Sequence, residues 1–386
     1  MTSAGRDYDV VIVGAGPAGS ATAIELARAG RRVLLVDRQR FPRPKVCGGC
    51  LSGDALAATR RLLPNHADPP GAPTLAVHFV VGRHRIGCRP QGATWLVPRM
   101  EYDALLARLA EEAGATCRFG EAARLEREGA GDEWAVFLGA DRVRAQTVVV
   151  ASGLGGLVEK LGIASRATCP PLIGQQWIQP PEAPLPPLGH LELHWLRGGY
   201  IGLGTPVDGQ CVIGMAVEPG ERGESAFDRL RRLNPDAPII QALPADAARR
   251  YGARGTSSFP WLPERIADRN LLLVGDAAGY AEPFTGEGIG QALRSASCAA
   301  AALLGRSPAA AAYERLMAAR HRKIMRRTQL VGRVLRMPLV NLAARALPWT
   351  PQALFGPLVR RIHVGRRGEP AAARSPAAAQ YEGVFS

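Results

Sequence analysis

No apolar run in this 386-residue chain reaches about eighteen residues, the length a helix needs to cross a bilayer. The first strand-like run opens at Asp9, which leaves no room ahead of it for a cleavable signal peptide. Cysteine is sparse, seven in all, odd in number and scattered, a usage that suits a reducing compartment better than a disulfide scaffold. A cytoplasmic protein is therefore expected. No spacing of His, Cys, Asp or Glu reads as a metal site, and no internal repeat is visible. Lysine is nearly missing, with only Lys45, Lys160 and Lys323, although the chain carries a net charge of +14. No recognition fold or aromatic-basic platform accompanies that charge, which argues against nucleic acid as a partner.

What is present begins with Asp9–Gly19, reading DVVIVGAGPAG. Val10 to Val13 predict a buried parallel strand, running into a helix that starts near Pro17 and packs Ala18, Ala21, Ile24 and Leu26. Gly14 allows the tight bend, Gly16 removes a side chain that would block a pyrophosphate, and Gly19 lets helix and strand approach. The helix N-terminus then offers free N–H groups and a positive dipole end to the phosphates. A second strand, Arg32 to Asp37, ends in a carboxylate about twenty residues on, where adenosine ribose hydroxyls are expected. Strand, glycines, helix, strand and acid in that order make a dinucleotide site.

NAD and FAD share this fingerprint, and a downstream segment favours FAD. Leu271 to Val274 form another apolar strand, closed by Gly275 and by Asp276, a carboxylate placed to accept from a ribityl hydroxyl. Glu282 to Gly290 (EPFTGEGIG) then turn into an Ala-rich helix from about Gln291 to Leu304. With no side chains at Gly286 and Gly288, the N–H groups there would be free for the pyrimidine edge of an isoalloxazine ring; taken alone, the segment reads equally as an ordinary strand, turn and helix.

These residues resemble the p-hydroxybenzoate-hydroxylase-like flavoproteins, which include aromatic hydroxylases, flavin halogenases and geranylgeranyl reductases. Phe41 to Gly49 (FPRPKVCGG) and Pro283 to Gly290 look most like the geranylgeranyl reductase branch. The resemblance implies an α/β fold: a Rossmann-like FAD-binding domain, an inserted antiparallel-sheet substrate domain and a helical C-terminal segment. It matches Arg99 to an arginine that opens a helix and reaches the FAD phosphates. It also places Cys47 and Gly48 close to the flavin, with Cys47 relaying a proton or lining the substrate side. The FAD-binding set so implied is Gly14, Gly16, Pro17, Ala18, Gly19, Asp37, Arg38, Cys47, Gly48, Arg99, Ala123, Asp276, Pro283, Gly286, Gly288 and Ile289.

Three departures bear on activity. Ser152 stands where the hydroxylases carry the Asp of an Asp-Gly pair. The Trp-x-Trp-x-Ile-Pro run of halogenases is missing. The aromatic Tyr-x-Trp-x-Phe-Pro motif of the reductases is reduced to Gly199–Pro206 (GYIGLGTP), so a different substrate lining is expected. Cys47 and Cys50 form a C-x-x-C, but one that follows a Pro-rich loop and opens no helix, a poor context for a redox dithiol. A small residue in a tight loop is the alternative reading of Cys47.

The boundaries expected are a discontinuous FAD-binding domain over 1–68, 99–165 and 263–320, and a substrate domain over 69–98 and 166–262. Leu75–Val81, His190–Trp195 and Gln210–Val217 predict its strands. A basic amphipathic helical segment follows at 321–368, and a disordered Ala/Pro-rich tail at 369–386. Between Arg315 and Arg374 thirteen arginines and one lysine face a single acid, Glu369, so this stretch holds +13 of the chain's net +14. Interleaved with Trp349, Phe355 and many aliphatics, it reads equally as a surface for anionic membrane or as a packed cap with a solvated basic face.

The expectation is an FAD-dependent oxidoreductase of a hydrophobic lipid, polyprenyl or polyketide-derived substrate, with reductive hydride transfer to a C=C bond preferred. A monooxygenase of an aromatic or polyketide substrate is the runner-up, and a membrane-docked flavoprotein without turnover is the reading from another class. No second dinucleotide fingerprint is visible, so the expectation is an NADPH that binds transiently or another reductant in its place.

Overall fold

The computed structural model describes residues 7–318 apart from 83, 89–92, 129–132, 155, 181–184, 257–258, 281–283 and 285. Pro283, the 321–368 segment and the 369–386 tail lie outside the described residues.

Five parallel strands form the centre of the first sheet, in the order Leu271–Leu273, Asp141–Val150, Tyr8–Val13, Val33–Asp37 and Thr116–Phe119. Both faces of a parallel sheet are covered at its centre, which is why 10–13, 33–36, 148–150 and Leu271–Leu273 read as continuous apolar runs, whereas the edge strand Thr116–Phe119 is only half-buried. Val10 and Ile12 point into a core shared with the helices Pro17–Arg28, Arg99–Glu112 and Gly288–Leu304. Val11 and Val13 point the other way, toward Trp134 and Val136 of the Glu133–Leu138 strand.

The second sheet runs in the order Arg254–Gly255, Ser165–Gln179, Gln210–Val217, Gly199–Val207, His190–Leu196, Ala76–Val81 and His84–Cys88. It is antiparallel except where His190–Leu196 pairs in parallel with Ala76–Val81. The antiparallel sheet expected of the inserted segments is present, with this one parallel pair. The parallel pair arises because its two strands come from segments more than a hundred residues apart, joined by a long crossover and no hairpin. One face is covered by the helices Ala226–Leu233 and Pro238–Ala242, whose Phe227, Leu230 and Ile240 pack on Trp177, Ile201, Ile213 and Val217. The opposite face presents Val77, Phe79, Leu193, Trp195 and Tyr200 toward Phe284. A small third sheet joins Cys50–Leu51 to Trp95–Leu96 and Ala72–Pro73.

Candidate FAD and substrate site

A cavity of about 430 Å³ runs from the C-terminal ends of the parallel strands to the face of the second sheet that carries Tyr200. The crevice outside the carboxyl ends of parallel strands is where open α/β sheets bind ligands.

The glycine turn forms one end. Gly14 has φ 109°, a left-handed conformation that a side chain disfavours, and a Cβ there would lie 2.3 Å from the Ala151 carbonyl oxygen. Gly19 does not line the cavity; a Cβ on it would sit 1.8 Å from the Gly14 oxygen, so it serves the close packing of helix on turn. Gly16 is different. A Cβ there meets only the Arg43 Nη2, at 3.6 Å, and would otherwise project into open cavity. Gly16 is the N-cap of the helix and Pro17 its first residue, where the missing proline N–H costs nothing.

Asp37 ends its strand at the same place. Its Oδ2 accepts the Ala15 N–H at 2.8 Å, its Oδ1 accepts the Gln39 N–H at 2.9 Å, and the carboxylate lines the cavity. Arg38 and Ala123 lie on the same stretch of wall, Arg38 exposed. Arg99 opens its helix and chelates Asp103, Nε to Oδ1 at 2.8 Å and Nη2 to Oδ2 at 2.9 Å. Burial works against the Arg99 charge, but Asp103 and Cys47 hold it protonated above the usual arginine range.

Beyond the turn the wall is made by Cys47, Gly48, Asp276, Gly286, Gly288 and Ile289. Burial raises the Asp276 carboxyl above the ordinary aspartate range, against the pull of Lys45 and Arg99. The Ala-rich helix begins at Gly288, three residues earlier than expected, so its first turn itself faces the cavity. The Cys47 N–H donates to Gln176 Oε1, and the Cys47 sulfur accepts the Gly49 N–H at 3.5 Å. Cys50 is another matter: burial, then Glu287 and Cys47, push its thiol up to about 12, the reverse of what a reactive dithiol needs.

The structure thus brings together on one cavity every expected site residue except Gly19, which packs behind the turn, and Pro283, outside the described residues. Sequence reasoning missed three contributors. Arg43 and Lys45 stood in plain sight within Phe41–Gly49, but nothing in their spacing told which way they point. Gln176 lies on a strand of the other sheet and had no local signal beyond a polar residue within an apolar run, whereas Tyr200 falls in the Gly199–Pro206 segment already read as substrate lining.

The lining suits FAD. Gly16 and Gly48 leave space where any side chain would intrude, and two buried polar atoms in the wall, Arg43 Nε and Ser152 Oγ, have no protein partner. Among the described residues no group of His, Cys, Asp or Glu is arranged to hold a metal, and no helix is long and apolar enough to cross a membrane.

Comparison with known proteins agrees with this geometry. Residues 9–177 match the family described as FAD dependent oxidoreductase. The chain belongs to the FAD-dependent oxidoreductases, within the geranylgeranyl-reductase-like flavoprotein superfamily, and is an enzyme that binds FAD. It is 30% identical over 331 residues to a menaquinone reductase of Mycobacterium tuberculosis, covering 76% of this chain and 75% of that one. It is 28% identical to digeranylgeranylglycerophospholipid reductase 2 of Methanopyrus kandleri, over 73% of each chain. In fold it is similar to a myxobacterial chondrochloren halogenase, with a TM-score of 0.74 at 20% identity, covering 92% of this chain and 89% of that one.

Proposed function

We propose that this oxidoreductase reduces a C=C bond of a hydrophobic lipid, polyprenyl or polyketide-derived substrate. The carrying observation is the continuity of the cavity, from the Gly14–Gly16 turn past Cys47 and Gly48 to an apolar wall of Leu191, Leu193, Tyr200, Val212, Met215 and Phe284. The two relatives named as reductases support the same reading.

Reduced FAD, when bound, supplies a hydride; the protein has to orient the alkene, exclude water and deliver one proton. Tyr200 stacks on Trp195 at 5.3 Å, and both meet Phe284 edge-on at 6.1 and 5.9 Å, which fixes a dry aromatic wall. Cys47 is the proton donor in this reading, its backbone held by Gln176 and its sulfur by Gly49. The thiol protonates one carbon as the hydride reaches the other and regains its proton from solvent. NADPH or another reductant returns the electrons.

Gly202 and Gly204 stand on the wall where the reductase motif carries bulky aromatics, and Leu193 and Leu191 lie over them, so the substrate of this chain meets aliphatic side chains there. The FAD-contacting set named above, the division into an FAD-binding and a substrate unit, and docking of the 321–368 segment on anionic membrane are parts of the same proposal. The test is anaerobic: the reduced protein is mixed with menaquinones, polyprenyl lipids and polycyclic quinones, and return of the oxidised flavin absorbance is followed. Reoxidation by one of these without oxygen, with an alkene C=C bond saturated in the product, supports the reductase. Turnover only after oxygen is admitted, with a hydroxylated product, supports the monooxygenase instead.

A further inference from the structure

Asp103 is fully buried on the Arg99–Glu112 helix, one turn beyond Arg99. A buried carboxylate persists only when paired, and this one is paired twice. Its two oxygens take the fork of Arg99 at 2.8 and 2.9 Å, and Oδ2 also faces Arg43 Nη1 at 3.4 Å. The other end of Arg43 lies 3.4 Å from Asp37 Oδ2, which holds the N–H of Ala15 inside the glycine turn.

Arg43 is itself 8% exposed, its guanidinium 4.9 Å from the centre of the Phe41 ring. Its Nε is buried with no partner, and its Nη2 is the atom nearest to where a side chain on Gly16 would begin. Arg43 lines the cavity, and its Nη2 beside the glycine turn is placed to meet an anion there. Arg99 sits farther along, against Cys47 and within the field of Asp276. The two cations thus mark out the stretch of wall between the turn and the ribityl end.

We propose that Asp103 is a positioning residue: it joins Arg43 and Arg99 into a single preorganised clamp for the FAD diphosphate. The clamp is set before the cofactor arrives, because both guanidinium groups are already held by one carboxylate, and Phe41 fixes the plane of Arg43 from the other side. The inference rests on reading the Gly14–Gly16 turn as the diphosphate site.

The test compares ligands with and without the diphosphate on apoprotein stripped of flavin, by quenching of flavin fluorescence. Asp103→Asn should weaken FAD by at least roughly tenfold, the scale of a lost charge-assisted hydrogen bond, and leave riboflavin within about twofold. Unchanged FAD affinity, or equal loss of FAD and riboflavin, overturns the proposal. Should Asp103→Asn fail to fold, Arg43→Gln and Arg99→Gln are measured singly and together. Joined residues make the double loss smaller than the product of the single losses, and a simple product overturns the joining. Retention of FAD by Gly16→Val would instead remove the diphosphate reading of the turn, a separate failure.

Discussion

A Cβ on Gly16 meets one guanidinium nitrogen at 3.6 Å, whereas a Cβ on Gly19 would sit 1.8 Å from a backbone oxygen. The two substitutions should therefore fail differently. Gly16→Val is expected to fold and to purify without flavin, read as a collapsed flavin-to-protein absorbance ratio with unchanged circular dichroism. Gly19→Val should lose the fold itself, read as loss of cooperative unfolding; flavin retention in Gly16→Val would contradict the assignment. The two cysteines separate in the same way. Cys50, with its thiol pushed up to about 12, should stay unmodified by iodoacetamide at neutral pH, and Cys50→Ala should keep turnover. Cys47→Ala should keep FAD yet lose most of the turnover, and an unchanged rate would reduce Cys47 to loop packing. At this scale the glycines were legible because a left-handed φ at Gly14 and a backbone contact at Gly19 exclude a side chain, and Gly16 keeps the cavity open. Arg43 was not, because a side chain's direction depends on what it packs against, here Phe41 and two carboxylates of distant elements.

The Pro17–Arg28 and Gly288–Leu304 helices pack through small residues, Ala18, Ala21, Ala292, Ala296 and Ala299 among them. Between them Ser297 Oγ donates to Glu25 Oε1 at 2.6 Å, and Gly275 N–H donates to Ser295 Oγ at 2.8 Å. Burial raises the Glu25 carboxyl above its ordinary range, outweighing the pull of Ser297, Arg61 and Arg28. The folded state therefore holds the proton more tightly than the unfolded state, and ionising Glu25 opposes folding as pH rises from the ordinary glutamate range through the raised value. Glu25→Gln keeps an acceptor for Ser297 and removes that penalty. Its Tm should exceed the wild type at neutral pH, with the gap closing as pH falls into the glutamate range; a lower Tm at neutral pH would contradict this. Long elements such as these helices were readable from apolar period and small residues. The two-residue strands Cys50–Leu51 and Ala72–Pro73 carry no period, and the parallel pairing of Ala76–Val81 with His190–Leu196 depends on where two distant insertions meet.

Across the whole molecule the charge is lopsided: +13 of the net +14 falls between Arg315 and Arg374. Each basic side chain at an anionic surface contributes about 1 kcal/mol, screened by salt, so a handful engaged together would hold the enzyme where a lipophilic substrate resides. The full chain should sediment with vesicles containing anionic lipid at low salt and be released as salt rises. No binding to anionic vesicles at low salt would leave the segment as a packed cap. Fold class and cofactor were legible at this scale because both follow from the order of strands, glycines and acids. The substrate wall was not, because Leu193, Tyr200, Gly214 and Phe284 meet only when the second sheet closes over the first.

In the proposed reaction one cavity delivers a hydride and a proton to a C=C bond, and a single turnover in deuterated water reads both transfers. Protein reduced beforehand, oxygen-free, is given the substrate that reoxidises it, and the product is weighed. The proposed reaction gives a saturated product formed without oxygen, with solvent deuterium at the carbon the exchanged thiol protonates, and Cys47→Ala does not form it. A product that contains a new oxygen atom and appears only when air is admitted would contradict it.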